Sequence, residues 1–212
     1  MIVACKDADE GLSLLLVEAG TPGFQLGRRF DKIGCKAQDL SEMFFNDCRV
    51  PAGNLIGTRG HGMRHLMQML PQERLLQALR AVAASEAMLG WTIDHVRQRR
   101  AFGRPLAGFQ AIGFKLAELH AEIMAQRVLV DRCLTIHVAE GLDAALAASL
   151  KMSTCGVQGR VADACLQMFG AAGYMWETPI ARAFADARQA RIAGGTVEIM
   201  KVIVSRALLN PA

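Results

Sequence analysis

Between residues 11 and 55 the apolar positions come in short runs, Leu14-Leu15-Leu16-Val17 and Met43-Phe44-Phe45. They are punctuated by turn formers, Gly20-Thr21-Pro22-Gly23 and Val50-Pro51-Ala52-Gly53, the pattern of β-strands. The first run begins close behind Met1, so a sheet here has little chain upstream to pair with. Since small sheets need three strands over a core, the segment reads as β structure that starts in the middle of a domain. After Gly57-Thr58-Arg59-Gly60-His61-Gly62 the period changes to that of a helix and stays there. Residues 63–70 predict a short helix, and Pro71, which cannot continue it, opens a second that runs to about residue 100. Ile112, Leu116, Leu119 and Ile123, spaced by 4, 3 and 4, share one face of a third helix that Gly141 ends. Asp143 caps a fourth, which reaches Phe169 and is closed by Gly170. A shorter helix after Thr196 completes a four-helix bundle. The fold class is α+β, with the β part over residues 1–56 and the bundle over residues 57–212.

Composition narrows the class. At 212 residues the chain amounts to one domain or one and a half. With 52% apolar and 21% charged residues, disordered, collagen-like and coiled-coil classes fall away. Apolar runs such as residues 144–148 are far short of the ~20 residues that span a bilayer, and no basic region precedes the first apolar residues, so neither a membrane span nor a signal peptide is expected. The net charge is +4, and its basic residues are scattered apart from Arg97-Gln98-Arg99-Arg100, which argues against a nucleic-acid partner. Six cysteines at 5, 35, 48, 133, 155 and 165 form neither a Cys-x-x-Cys pair nor a small-domain framework; they read as free thiols in a reducing compartment.

Most constellations are better explained by structure than by chemistry. The Gly57-to-Gly62 loop is neither a Walker pattern nor a dinucleotide fingerprint. His61 and His65 stand at i and i+4, but the Glu of a zincin helix and a third ligand are absent, so no metal is predicted. Ser85 and Ser149 sit inside apolar helices without a nucleophile elbow. Glu73 stands out. A Glu in a first helical turn is ordinarily a dipole residue, but Leu75, Leu76, Leu79, Val82 and Ala83 make an apolar wall beside it. Against that wall a carboxylate covered by an apolar ligand loses water and gains basicity. Arg97, Arg99 and Arg100, next to Phe102 and Gly103, suit a diphosphate or ribose as well as a solvated face. Gly194-Gly195-Thr196 before an apolar helix offers backbone amides to an anion, or is a plain cap.

Taken in order, five segments resemble the signatures of the acyl-CoA dehydrogenase family. They are Phe30-Asp31-Lys32-Ile33-Gly34, Phe44-Phe45-Asn46-Asp47-Cys48-Arg49-Val50-Pro51, Arg99-Arg100-Ala101-Phe102-Gly103, Gln167-Met168-Phe169-Gly170-Ala171-Ala172-Gly173-Tyr174 and Gly194-Gly195-Thr196-Val197-Glu198-Ile199-Met200. The strings Leu70-Pro71-Gln72-Glu73-Arg74-Leu75 and Gly173-Tyr174-Met175-Trp176-Glu177 resemble the long-chain-type members. The resemblance implies part of a β-barrel-like middle domain followed by the family's C-terminal four-helix bundle. The family's Thr-Glu-Pro-type strand, which contacts the flavin, has no counterpart here, so the sequence resembles the C-terminal half to two-thirds of such an enzyme.

That resemblance carries an activity, the FAD-dependent α,β-dehydrogenation of an acyl-CoA thioester, long-chain or branched, to the trans-2-enoyl-CoA. An acyl-CoA oxidase of the same fold and a non-catalytic oligomerisation fragment are the alternatives. Many members carry the catalytic Glu just before the Gly-Thr of the last signature, where this chain has Gly194. Isovaleryl-type and long-chain-type members carry it on an earlier helix, at the position matched by Glu73. Glu73 is thus the expected base, with Arg74 and Gly194 beside the substrate. A carboxylate of ordinary pKa, near ~4, is a weak base, so substrate desolvation has to raise it. By the same matching, Arg99, Phe102, Gln110 and Gln167 are expected at the FAD of a neighbouring subunit, Thr196 and Glu198 at the FAD of their own, and Ala171 is expected to touch the cofactor through its backbone. Val197 and Ala171 depart from the usual residues of the signatures. The resemblance further implies an electron-transfer flavoprotein as acceptor, a homodimer or homotetramer, and a bacterial cytoplasmic or mitochondrial-matrix location.

Overall fold

The computed structural model describes residues 1–7 and 11–210. They fall into two compact units, Met1–Lys32 with Lys36–Leu70, and Ile33–Cys35 with Pro71–Ala212.

In the first unit β1 (Ile2–Asp7) pairs antiparallel with β2 (Gly11–Leu16) in the register Ile2 opposite Leu16 through Asp7 opposite Gly11. The open end is closed by Met1 and Val17, which exchange hydrogen bonds between their nitrogens and carbonyls. β3 (Phe24–Arg29) pairs with β4 (Ser41–Phe45) across a bulge between Leu26 and Arg29, and the facing Phe24 and Phe45 rings stack at 5.1 Å. Gly23, at φ +85°, has no substitute, because an added Cβ would lie 2.1 Å from the Asn46 carbonyl. β5 (Leu55–Ile56) joins the free edge of β2. The sheet therefore draws its third strand from downstream, and β1 and β3 are strands that the apolar runs did not mark.

The glycine loop that follows is structural. Gly60 N donates to Ser13 Oγ, Arg59 pairs with Asp7, and the Thr58 N–H donates to His65 Nε2 at 3.4 Å.

A single helix, α1 (Gly62–Gln98), carries Pro71 inside it, where the sequence predicts two helices. Pro71 forfeits one i→i−4 hydrogen bond. The residues that follow it, Leu75, Ala78, Val82, Met88, Leu89 and Val96, are all buried, and their packing outweighs that loss. A two-residue hairpin, β6 (Arg100–Ala101) and β7 (Arg104–Pro105), leads to α2 (Gln110–Glu140) and α3 (Ala144–Phe169). Ile112, Leu116, Leu119 and Ile123 do share the core-facing stripe of α2. Asp143 caps α3 by accepting from Ala145 N and Leu146 N, and Gly170 closes it at φ +61°. An unpredicted helix, α4 (Pro179–Ala190), precedes α5 (Val197–Leu209), which Thr196 caps.

Within the second unit α3 is the hub, packed on α2, α4 and α5, with twelve buried side chains. Thr154 of α3 donates to Leu150 O within its helix, as Ser85 and Thr92 of α1 donate to Ala81 O and Met88 O, while Ser153 donates across to Gln126 Oε1 of α2. Ser85 is accordingly no nucleophile. All six cysteines are free, and Cys133, Cys155 and Cys165 are buried. Among the described residues no helix is long and apolar enough to cross a membrane.

Candidate active site

Glu73 lies one turn into the second-unit part of α1, its side chain exposed. Gly194 comes to meet it from the turn before α5: a Cβ added at Gly194 would stand 3.2 Å from Glu73 Oε1. The two positions at which the family resemblance places a carboxylate are thus neighbours in space. Gly194 and Gly195 hold φ of +65° and +93°, the left-handed region that glycine enters without strain. Thr196 follows as the N-cap of α5, its hydroxyl accepting from Ile199 N at 3.4 Å. Glu198, in the first turn, is held below the ordinary carboxylate range by its own backbone N–H and by the Thr196 hydroxyl.

Under this surface lie two buried cations. Arg74 is 5% exposed and its Nε has no hydrogen-bond partner. Burial lowers its pKa, and the neighbouring Glu73 carboxylate counters that. Lys151 of α3 is fully buried and donates to the Gly195 carbonyl. Burial also pushes its ammonium below the lysine range, with Arg74 adding to the push and Cys155, Glu73 and Glu198 opposing it. Sequence reasoning passed over Lys151, although the signal was present. With Ala147, Thr154 and Cys155 it occupies one stripe of a helix, where a charge is rare unless partnered.

The remaining expected residues gather elsewhere. Arg99 directly follows α1, Phe102 forms the tip of the β6–β7 hairpin, and Gln110 opens α2. Phe102 is 95% exposed and has φ +49°. A bulky residue in the left-handed region, with Gly103 at +80° beside it, makes a tight turn that presents an aromatic ring to the outside. Gln167 lies in the last turn of α3 and Ala171 in the turn just after it. His95 of α1 stacks on Phe169 of α3 at 4.1 Å, which fastens these two helix ends together. The stretch of α1 from Glu73 to Gln98 is about 38 Å long at 1.5 Å per residue. The structure therefore brings Glu73, Arg74, Gly194, Thr196 and Glu198 together at one end of the bundle. It holds Arg99, Phe102, Gln110, Gln167 and Ala171 at the other.

A separate open groove of about 890 Å³ runs along α3 and α4, lined by residues that include Gly156, Gly159, Leu166, Tyr174, Trp176 and Phe184. None of the expected site residues lines it.

The family profile described as acyl-CoA dehydrogenase, C-terminal domain, matches residues 60–209. The chain is 49% identical over 200 residues to the long-chain specific acyl-CoA dehydrogenase, mitochondrial, of Sus scrofa, covering 94% of this chain and 46% of that protein. It therefore spans about half the length of the curated relatives it matches. An acyl-CoA dehydrogenase structure from Geobacillus kaustophilus superposes with a TM-score of 0.94 at 42% identity, over 98% of this chain and 56% of that one. The FAD complex of PigA superposes at 0.90 with 26% identity, over 100% and 56%. With the profile spanning most of the residues, the chain belongs to the acyl-CoA dehydrogenase family and carries its C-terminal domain.

Proposed function

We propose that the protein catalyses the α,β-dehydrogenation of an acyl-CoA thioester, long-chain or branched, with Glu73 as the base that takes the α proton. The observation that carries this reading is the meeting of Glu73 with Gly194. The carboxylate occupies the place a side chain at Gly194 would otherwise fill, so either position aims at one reacting carbon. Gly194 leaves room for the acyl chain, and Arg74 supplies a positive charge under the carboxylate.

FAD, when bound, supplies the acceptor for the hydride that leaves the β carbon. The residues present fit such a group. Thr196 and the α5 N-terminus offer amides and a hydroxyl at one end of the bundle. Arg99 and the exposed Phe102 ring offer charge and a stacking face at the other. Because the two sets are separated by the length of a helix, one flavin cannot touch both within a single chain. FAD shared between subunits of a homodimer or homotetramer is the arrangement that uses both. The groove along α3 and α4, with Tyr174 and Trp176 exposed at 84% and 58%, is the kind of apolar surface a second copy covers. An electron-transfer flavoprotein is the proposed final acceptor, and the bacterial cytoplasm or mitochondrial matrix the proposed setting.

The test is anaerobic mixing of the FAD-loaded protein, in its full-length context, with acyl-CoA thioesters of graded length. Flavin bleaching with enoyl-CoA formation is the expected result, and absence of bleaching with every thioester overturns the reading. Aeration afterwards separates the dehydrogenase from an oxidase, which would release stoichiometric peroxide quickly.

A further inference from the structure

Among the described residues Lys151 is the most thoroughly buried charge, at 0% exposure in the second to third turn of α3. A lone ammonium in such a place is strongly unfavourable unless it is partnered. Its hydrogen bond goes to the backbone carbonyl of Gly195. The charges that reach it come from two other helices, Glu73 and Arg74 on α1 and Glu198 on α5, while the buried Cys155 thiol lies on its own helix. The carbonyl it holds belongs to a turn that needs holding. Gly194 and Gly195 both sit at positive φ, where glycine has alternatives of similar energy on either side of zero. The nearest backbone bond across the turn, Val197 N to Arg191 O at 3.2 Å, fixes its ends and leaves the two glycines to Lys151.

We propose that Lys151 is a positioning residue for the base: by holding the Gly195 carbonyl it fixes the Gly194-Gly195 turn as the wall against which the Glu73 carboxylate rests. The proposal rests on Glu73 being the base. The ammonium itself never meets substrate. It acts through the turn, so its removal loosens the carboxylate's aim rather than the affinity for the thioester. An error of about 1 Å in such aim costs on the order of 10²-fold in rate.

Two variants separate this role from simple packing: Lys151→Met keeps the length of the side chain without donor or charge, and Lys151→Gln keeps a donor. Each is made in the full-length, FAD-loaded protein, with Glu73→Gln alongside. Three quantities are read: acyl-CoA binding by titration, anaerobic flavin reduction at saturating acyl-CoA, and amide hydrogen exchange of residues 194–197 without ligand. The expected result for Lys151→Met is near-native binding, a limiting reduction rate lower by roughly 10- to 10²-fold, and faster exchange in the turn. Lys151→Gln is expected to recover part of the rate and of the exchange protection.

Reduction at the native rate in Lys151→Met overturns the proposal. So does a loss of binding equal to the loss of rate, with no recovery in Lys151→Gln. If Lys151→Met does not fold, Lys151→Gln decides, since unchanged exchange at residues 194–197 together with a slow rate would place the effect outside the turn and overturn it. A native reduction rate in Glu73→Gln removes the base assignment instead, a failure distinguishable because it appears in that variant and leaves the exchange result standing.

Discussion

Replacing Glu73 by Gln separates a catalytic carboxylate from a helix residue that happens to lie near a turn. Gln keeps the size, the polarity and the place beside Gly194 but cannot take a proton. The cost to the fold is small, because the Glu73 side chain is exposed and an exposed carboxylate contributes about 0–1 kcal/mol to its ion pairs. For a domain of this size that moves Tm by at most ~2–4 °C. Buried Arg74 and Lys151 each lose an opposing charge, so the shift is downward rather than upward. The cost to the chemistry is of a different order. Loss of a general base slows a reaction by ~10²–10⁴-fold, equal to about 2.7–5.4 kcal/mol of barrier at 1.36 kcal/mol per decade. The catalytic loss should therefore exceed the loss of stability several times over. Stopped-flow flavin reduction under anaerobic conditions reads the first, thermal unfolding the second, and calorimetric titration shows whether FAD and acyl-CoA still bind. Reduction at the native rate, or a rate that falls only in step with FAD binding, would refute the reasoning.

Gly194→Glu in the Glu73→Gln background should restore part of the reduction rate and favour shorter acyl chains. Recovery stays partial because a side chain at φ +65° costs about 1–2 kcal/mol; no recovery with any thioester would mean the two positions do not serve one carbon. Phe102→Ala removes a ring that is 95% exposed, so the free energy of unfolding should hold within about 0.5 kcal/mol while FAD binding weakens. Unchanged FAD affinity by titration would make the ring a bystander. His95 is held below its ordinary value of 6.5 by burial and then by Arg99. The folded protein therefore takes up that proton later than the unfolded chain, and the associated stability is present above about pH 6.5 and lost as pH falls through the folded value. Thermal melts from about pH 7.5 down to about pH 5 should show this decline; His95→Phe, which keeps the stack on Phe169, should flatten it, and an unaltered slope would assign the decline to other groups.

The helices that the sequence disclosed best are those whose buried stripes use large side chains. α2 shows Ile112, Leu116, Leu119 and Ile123 at helical spacing, and α3 carries both of its end signals, Asp143 and Gly170. The buried positions of α4 are Ile180, Ala185, Ala187 and Ala190. Its exposed positions include Arg182, Asp186 and Arg188, so a helical period was present and Pro179 marked its first turn, yet the run was passed over because alanines read as neutral. β3 went unseen for a different reason: of its six residues only Phe24 is partly covered, so no buried face stands behind a pattern. Pro71 misled because its local penalty is real but smaller than the packing that follows it on α1.

Glu73 stood out in the sequence by its apolar surroundings, and the resemblance added the proposed role of base with Arg74 and Gly194 near it; their spatial arrangement was not legible. The approach of Glu73 to Gly194 joins two distant parts of the chain, and local period carries no information about which turn faces which helix. Lys151 differs in kind. Its position on the stripe of Ala147, Thr154 and Cys155 already places a charge on the buried face of α3, and burial of a charge demands a partner. What periodicity cannot supply is that partner's identity, since the Gly195 carbonyl is a backbone atom and leaves no trace in side-chain pattern. The site thus depends on one residue type that sequence reading treats as surface and on two glycines that it treats as punctuation. Physical reading of a helix should therefore count a lysine inside an apolar stripe as a signal in its own right.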